Sequence, residues 1–142
     1  MTNDDDTALL RAARLRVTSP RLAVLRELRE RPHADADQVR SGVRARLGTI
    51  STQAVYDVLH ALTEARILRR VEPAGAPARY EIDVGDNHHH LVCRRCGRML
   101  DVACSAGSAP CLEAREDHGF RIDEAEVIYW GTCPSCLSTQ SA

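Results

Sequence analysis

Two short cysteine pairs, Cys93-Arg-Arg-Cys96 and Cys133-Pro-Ser-Cys136, constrain this chain of 142 residues more than any other feature. Each CxxC is a chelate whose two thiolates fill two corners of a tetrahedron, so two pairs complete a four-cysteine zinc site. The stretch between them must then fold back until its ends meet. Gly97 directly follows the first pair, where such a knuckle needs a permissive backbone. A lone CxxC reads equally as a redox dithiol, but two separated pairs in a small domain favour structural zinc. The chain holds one Phe, one Trp and three Tyr. Two half-size domains with so few aromatics have thin cores, and a metal staple or a partner chain supplies what they lack.

With 44% apolar and 27% charged residues the composition is that of a folded protein rather than a disordered one. No run of about 18 apolar residues is present to span a membrane. The start, MTNDDDTALLRAARLR, is acidic and then basic-amphipathic, without the apolar centre of a signal peptide. These features predict a cytoplasmic protein, where six cysteines point to metal binding or redox sensing before disulfides.

Charge divides the chain. Residues 7–82 carry 14 arginines against eight acidic residues, a net of +6, whereas residues 83–142 carry five against nine, a net of −4. Every Cys and four of the six His lie in the acidic part. Nucleic acid at one end and metal at the other is the expectation that follows. The domains are accordingly placed at 1–82, DNA-binding, and 91–142, zinc-containing, with a hinge at 83–90.

In the basic part, Ser19-Pro20 offers an N-cap and a proline at the first helical position, with Leu22, Leu25 and Leu28 following at helical spacing. Asp35 and Gln38 open a second helix, whose stripe is Val39, Val43 and Leu47 and whose end is Gly48. A third begins at Ser51, with Ile50 and Val55 at the positions of a hydrophobic staple. Its apolar stripe is Val55, Val58, Leu59 and Leu62; its other face carries Gln53, Tyr56, Asp57 and His60. Strands over 67–72 and 78–82 flank a turn at 73–77. Three helices and a hairpin predict a winged helix-turn-helix. Its third helix, led by Ser51 and Thr52, would enter the major groove. There Gln53 suits an adenine edge and Tyr56 a thymine methyl or a phosphate. Arg14, Arg16 and Arg21 suit phosphates. The plainer reading is a solvated face on a small helical domain without DNA.

A second cluster is His88-His89-His90, flanked by Glu81 and Asp101. On an extended segment His88 and His90 face one side and can chelate one ion; the alternatives are a solvent-exposed turn, or a neutral core histidine among the three. Imidazole with carboxylate suits Fe(II), Mn(II) or Zn(II). His33 has no core stripe to join and could reach across the hinge to the same ion. Cys104 and Cys111 are left over, and read either as small packed residues or as a secondary thiol switch.

From about Leu10 to Cys136 these residues resemble the ferric uptake regulator (Fur) family. The matching elements are Arg16-Val-Thr-x-x-Arg21, Gln53-Ala-Val-Tyr56, Ala78-Arg-Tyr-Glu81, His88-His-His-Leu-Val-Cys93-x-x-Cys96-Gly and Tyr129-Trp-Gly-x-Cys133-x-x-Cys136. The strings from Gln53 to Thr63, Gly85 to Leu91 and Asp123 to Thr132 look like its actinobacterial FurA/CatR branch, associated with catalase-peroxidase control. The resemblance implies an α+β fold, an N-terminal winged helix-turn-helix domain followed by a small α/β dimerisation domain with a four-cysteine zinc site. It implies structural zinc at Cys93, Cys96, Cys133 and Cys136, and a regulatory metal, Fe(II), Mn(II) or Zn(II), at His33, Glu81, His88, His90 and Asp101. It assigns Tyr56 to the DNA-reading helix and Arg21 to the DNA backbone. The expected partners are an A/T-rich inverted-repeat operator and a second copy of the chain.

Three departures from the family pattern stand out. Asn87, Ser108 and Ala125 stand where a further dimerisation-domain metal site has ligands, which leaves His89 alone there. Asp57 replaces an arginine that often follows the tyrosine. Glu81 stands where the family's peroxide sensors have aspartate and its iron sensors glutamate. The expected function is a metal-dependent, redox-responsive, non-enzymatic repressor of oxidative-stress genes. The rivals are an iron-uptake repressor and, from another class, a CxxC thiol-disulfide oxidoreductase.

Overall fold

The computed structural model describes residues 3–86, 88–104 and 112–140. The chain divides into two compact units, Met1–Val84 and Gly85–Ala142. The fold class is α+β.

Four helices and a three-stranded sheet build the first unit: α1 (Asn3–Ala12), α2 (Ser19–Glu30), β1 (Ala34–Asp35), α3 (Ala36–Leu47), α4 (Thr52–Glu64), β2 (Leu68–Val71) and β3 (Arg79–Ile82). The sheet order is β1-β3-β2, antiparallel throughout. Local capping chemistry sets the helix starts. Asp35 and Gln38 close a reciprocal capping box on α3, both bonds at 2.9 Å. Ser51 accepts from the Ala54 amide at the start of α4. At α2 the cap is Thr18, one residue before the expected Ser19, and its hydroxyl accepts from Arg21 N. Gly48 ends α3 at φ 79°, a left-handed value that favours glycine.

The core gathers Val24, Leu25 and Leu28 of α2, Val39 and Val43 of α3, and Val55, Leu59 and Leu62 of α4. Ile50 packs against it, as the staple reading expects. The unforeseen element is α1. Its Leu10 is fully buried in the same core, and its buried Asp6 accepts from Arg29 of α2, with Nε at 2.9 Å. This part-buried ion pair fixes α1 on α2.

The second unit contains β4 (His88–Cys93), β5 (Met99–Ala103), β6 (Ile128–Gly131) and α5 (Pro134–Gln140). Strand β4 is central, antiparallel to β5 and parallel to β6. Residues 88–90, expected in the hinge, therefore lie in a strand, because their backbone pairs with 101–103. Residues 112–127 form no helix or strand. On one face of the sheet Leu100, Leu91 and Tyr129 stand in a cross-strand row, each nearly half exposed.

Candidate metal centres and nucleic-acid interface

The two CxxC pairs meet because β4 and β6 run parallel side by side and each ends in a cysteine turn. Cys93 pairs with Gly131 across the strands, and the Arg94 amide donates to the Gly131 carbonyl at 2.8 Å. Gly97, at φ 75°, donates to the Cys93 carbonyl and closes the first knuckle. The guanidinium of Arg94 lies over the Trp130 ring at 5.2 Å and covers the joint. The Sγ atoms of Cys93, Cys96, Cys133 and Cys136 all lie within 4.8 Å of one another. Cys96 and Cys133 sulfurs are 3.7 Å apart, which matches the edge of about 3.8 Å in a zinc tetrathiolate with Zn–S bonds of about 2.3 Å.

Electrostatics at this cluster call for a cation. Hydrogen bonds from backbone groups of Cys96 and Cys133 hold the Cys93 thiol down at about 6. Cys133 is also lowered, first by the backbone at Cys136. Cys136 is pushed up to about 12, because it shares its proton with the Cys133 sulfur and is partly desolvated. Some thiols are ready as thiolates while the last resists a further negative charge; a dication removes that conflict. The donor set and its spacing fit zinc.

The imidazole–carboxylate residues fall in both units. In the first, His33 Nε2 lies 3.0 Å from Glu81 Oε2, with both side chains nearly buried. His33 is positioned by an unusual backbone, at φ 69°, and by the hydrogen bond that its amide N–H donates to the Tyr80 carbonyl. In the second, the β4 alternation brings His88 and His90 to one side, with ring centroids 4.9 Å apart. Their Nε2 atoms lie 3.6 and 3.5 Å from Asp101 Oδ1 on β5. Asp86 Oδ1 is 2.8 Å from His88 Nδ1, the kind of carboxylate contact that orients a ligating ring. Asp86 was not singled out in the sequence, although its place two residues before His88 was a usable signal. His89 has another role: its buried Nδ1 accepts from the Val127 amide at 3.3 Å and ties the segment before β6 to β4. Ala125 is described and partly buried, whereas Asn87, Ser108 and Cys111 lie outside the described residues. Cys104 is partly buried just past β5.

The surface expected to meet nucleic acid is presented by α4. Ser51, Thr52, Gln53, Tyr56, Asp57 and His60 are all exposed, while Val55, Leu59 and Leu62 anchor the helix from behind. Arg40 of α3 donates to the Thr52 hydroxyl at 2.9 Å and sets the first turn. Arg14 and Arg16 are exposed. Arg21 is half-buried, and its Nη1 donates to the Arg16 carbonyl at 2.7 Å, leaving its other donors for a phosphate.

A winged helix with an exposed face on α4, followed by a unit carrying a tetracysteine cluster, is an arrangement found in metal-binding transcription regulators. The comparisons narrow the class. The model of the ferric uptake regulator family matches residues 12–130, and the chain belongs to that family. The transcriptional regulator FurA of Mycobacterium tuberculosis strain H37Rv is 58% identical over 127 residues, 89% of this chain and 86% of the relative. Ferric uptake regulation protein 2 of Mycolicibacterium fortuitum is 58% identical over 138 residues, covering 95% and 94%. The iron-containing ferric uptake regulator structure from Francisella tularensis superposes with a TM-score of 0.72 at 25% identity, covering 87% of this chain and 95% of that one. The Helicobacter pylori regulator, at 20% identity and a TM-score of 0.75 over 96% and 95%, shares the fold. No helix among the described residues is long and apolar enough to cross a membrane.

Proposed function

We propose that this chain is a cytoplasmic, homodimeric, metal-dependent repressor that binds an A/T-rich inverted-repeat operator. Zinc at Cys93, Cys96, Cys133 and Cys136 holds the second unit. Fe(II) or Mn(II), with Zn(II) as a further candidate, is held by His33, Glu81, His88, His90 and Asp101 and favours the DNA-binding arrangement. The observation that carries this reading is the distribution of that ligand set: a preformed His33–Glu81 pair in one unit, and His88 and His90 converging on Asp101 in the other. An ion taking ligands from both shifts the equilibrium between arrangements of the units by its differential affinity for them. Iron in the Francisella relative supports iron among the candidates.

The exposed row Leu100, Leu91 and Tyr129 supports pairing of two copies through the second unit, since apolar rows of this kind mark association surfaces. Pairing places two α4 helices on successive major grooves of an inverted repeat. The regulated genes are those of catalase-peroxidase and the oxidative-stress response, a reading that rests on resemblance to the FurA branch. Control of iron uptake is the second reading, favoured by Glu81 and by the name of the M. fortuitum relative. Operator binding by metal-free, Mn-loaded and Fe-loaded protein, with and without peroxide, tests both. Metal-independent binding overturns the mechanism; metal dependence with no response to peroxide selects the iron-uptake reading.

A further inference from the structure

Gln53 and Asp57 stand one turn apart on the exposed face of α4. Gln53 Nε2 donates to Asp57 Oδ1 at 2.8 Å. A carboxylate can only accept, so it selects the NH2 end of the amide and excludes the amide oxygen. One N–H of Gln53 is thereby used. What it still presents is one N–H donor beside one oxygen acceptor.

That pair has the pattern of one base. In the major groove adenine shows an acceptor at N7 beside a donor at N6, whereas guanine shows two acceptors, N7 and O6. A free carboxamide could point both N–H groups at the two acceptors of guanine. With one N–H held by Asp57 it cannot, and a side-by-side contact with guanine then sets Oε1 against O6, a lone-pair contact. We propose that Asp57 is a positioning residue for base selection, holding the Gln53 amide in the orientation that accepts adenine and rejects guanine. This rests on the reading that α4 enters the major groove.

The sign of Asp57 supports the assignment. A negative charge on a face approaching phosphates weakens binding to every sequence alike. A glutamine–carboxylate pair on a helix surface adds little to helix stability. Base selectivity is the property that this pair changes most. Gln53 and Asp57 are exposed, and with Tyr56, His60 and Arg70 they line one concavity beside α4.

The test uses full-length, zinc-replete, Mn-loaded protein. Wild type first selects its operator from a library of randomised duplexes, and Gln53→Ala identifies the base pair whose preference depends on Gln53. Duplexes with adenine or guanine at that position are then titrated against wild type, Asp57→Asn and Asp57→Glu. Wild type is expected to prefer adenine by about tenfold or more, as a bidentate contact implies. Asp57→Asn, whose amide can face Gln53 either way, should reduce that ratio to within about threefold while tightening binding to unrelated DNA, since a charge repelling phosphates is gone. Asp57→Glu, which keeps an obligate acceptor, should preserve the preference. If Asp57→Asn tightens binding to all duplexes with the adenine preference intact, Asp57 is only a repelling charge and the proposal is wrong. If Gln53→Ala changes no preference, the proposal is equally lost. Should wild type enrich no sequence at all, the operator-binding reading itself falls.

Discussion

Gly42 of α3 lies directly against the carboxylate of Glu27 on α2: a Cβ at residue 42 would occupy the place of that carboxylate. Glu27 is buried and accepts from Arg46 Nε at 2.7 Å, while Arg46 Nη2 reaches Glu30 at 2.6 Å. The absence of a side chain at residue 42 lets the buried Glu27 carboxylate lie against α3 and join α2 to it through Arg46 at the surface. These two helices are the platform on which α4 is mounted.

Gly42→Ala therefore destabilises the first unit although it removes a glycine from a helix. Alanine contributes about 1 kcal/mol of helix propensity. Overpacking and displacement of a buried, paired carboxylate cost about 2–3 kcal/mol, so a net loss of about 1–2 kcal/mol is expected in urea denaturation. In a Glu27→Ala background the same substitution should become neutral or stabilising. A gain in stability from Gly42→Ala alone would show that the contact does not constrain the helices.

Cys96→Ser should release zinc and unfold the second unit, with loss of dimers, because a tetrathiolate zinc site contributes folding free energy directly. Zinc analysis, sedimentation and a melting curve check this. A variant that stays dimeric with an unchanged melt removes the structural role.

Zinc retention should depend on pH with a definite sign. The Cys93 thiol, held down at about 6 by backbone donors, is already a thiolate at neutral pH and above. Its contribution to metal binding is present above that value and is lost as pH falls through it, when protons compete with zinc. In a chelator competition, apparent zinc affinity should fall more steeply with pH below about 6, where Cys93 adds its proton to the competition, than above it. An unchanged slope through about pH 6 contradicts the assignment of Cys93 as a ligand.

On DNA, Tyr56→Ala should weaken specific operator binding by about 1–3 kcal/mol, with zinc content and dimerisation unchanged. Arg21→Ala should weaken all sequences more evenly and reduce the salt dependence. It also frees the Arg16 carbonyl, so the loop before α2 should loosen in hydrogen exchange. Equal operator affinity for wild type and Tyr56→Ala removes α4 as the reader.

What the sequence showed of this molecule was mostly what acts over short distances. Capping at Asp35 and Ser51 is decided within four residues, and each CxxC chelate within three. The apolar stripe of α4 follows from helical period alone. Thr18 took the place of Ser19 because two adjacent hydroxyl residues offer the same chemistry and only the backbone decides between them. Helix α1 escaped notice because its anchor, Asp6 on Arg29, joins residues 23 apart in sequence. The His33–Glu81 contact spans 48 residues; His33 stands out because it has no core stripe to join, but no local pattern pairs it with Glu81. The role of His89 in binding the Val127 amide depends on β6 returning beside β4, which no local pattern encodes.

The peroxide signal is the last prediction. Two observations pull apart: resemblance to the catalase-associated branch indicates oxidative stress, and Glu81, where aspartate marks peroxide sensors, indicates iron sensing. If peroxide acts at iron held by the imidazoles, His33 and His88 should each gain one oxygen that a dithiol does not remove. If it acts on sulfur, the zinc-binding thiolates or Cys104 and Cys111 change instead, and reductant reverses the change. Glu81 is one methylene longer than aspartate and already contacts His33 at 3.0 Å, which alters the carboxylate geometry offered to an ion. Cys104, partly buried just past β5, carries a thiol beyond the four at the cluster. The expected outcome is thiol-linked and reversible. Mass spectrometry of Fe-loaded and Mn-loaded protein after a brief peroxide pulse distinguishes the routes. Oxygen on His33 or His88, present with Fe, absent with Mn and resistant to dithiol, overturns the thiol route. No change at any His or Cys leaves a sensor of the metal alone.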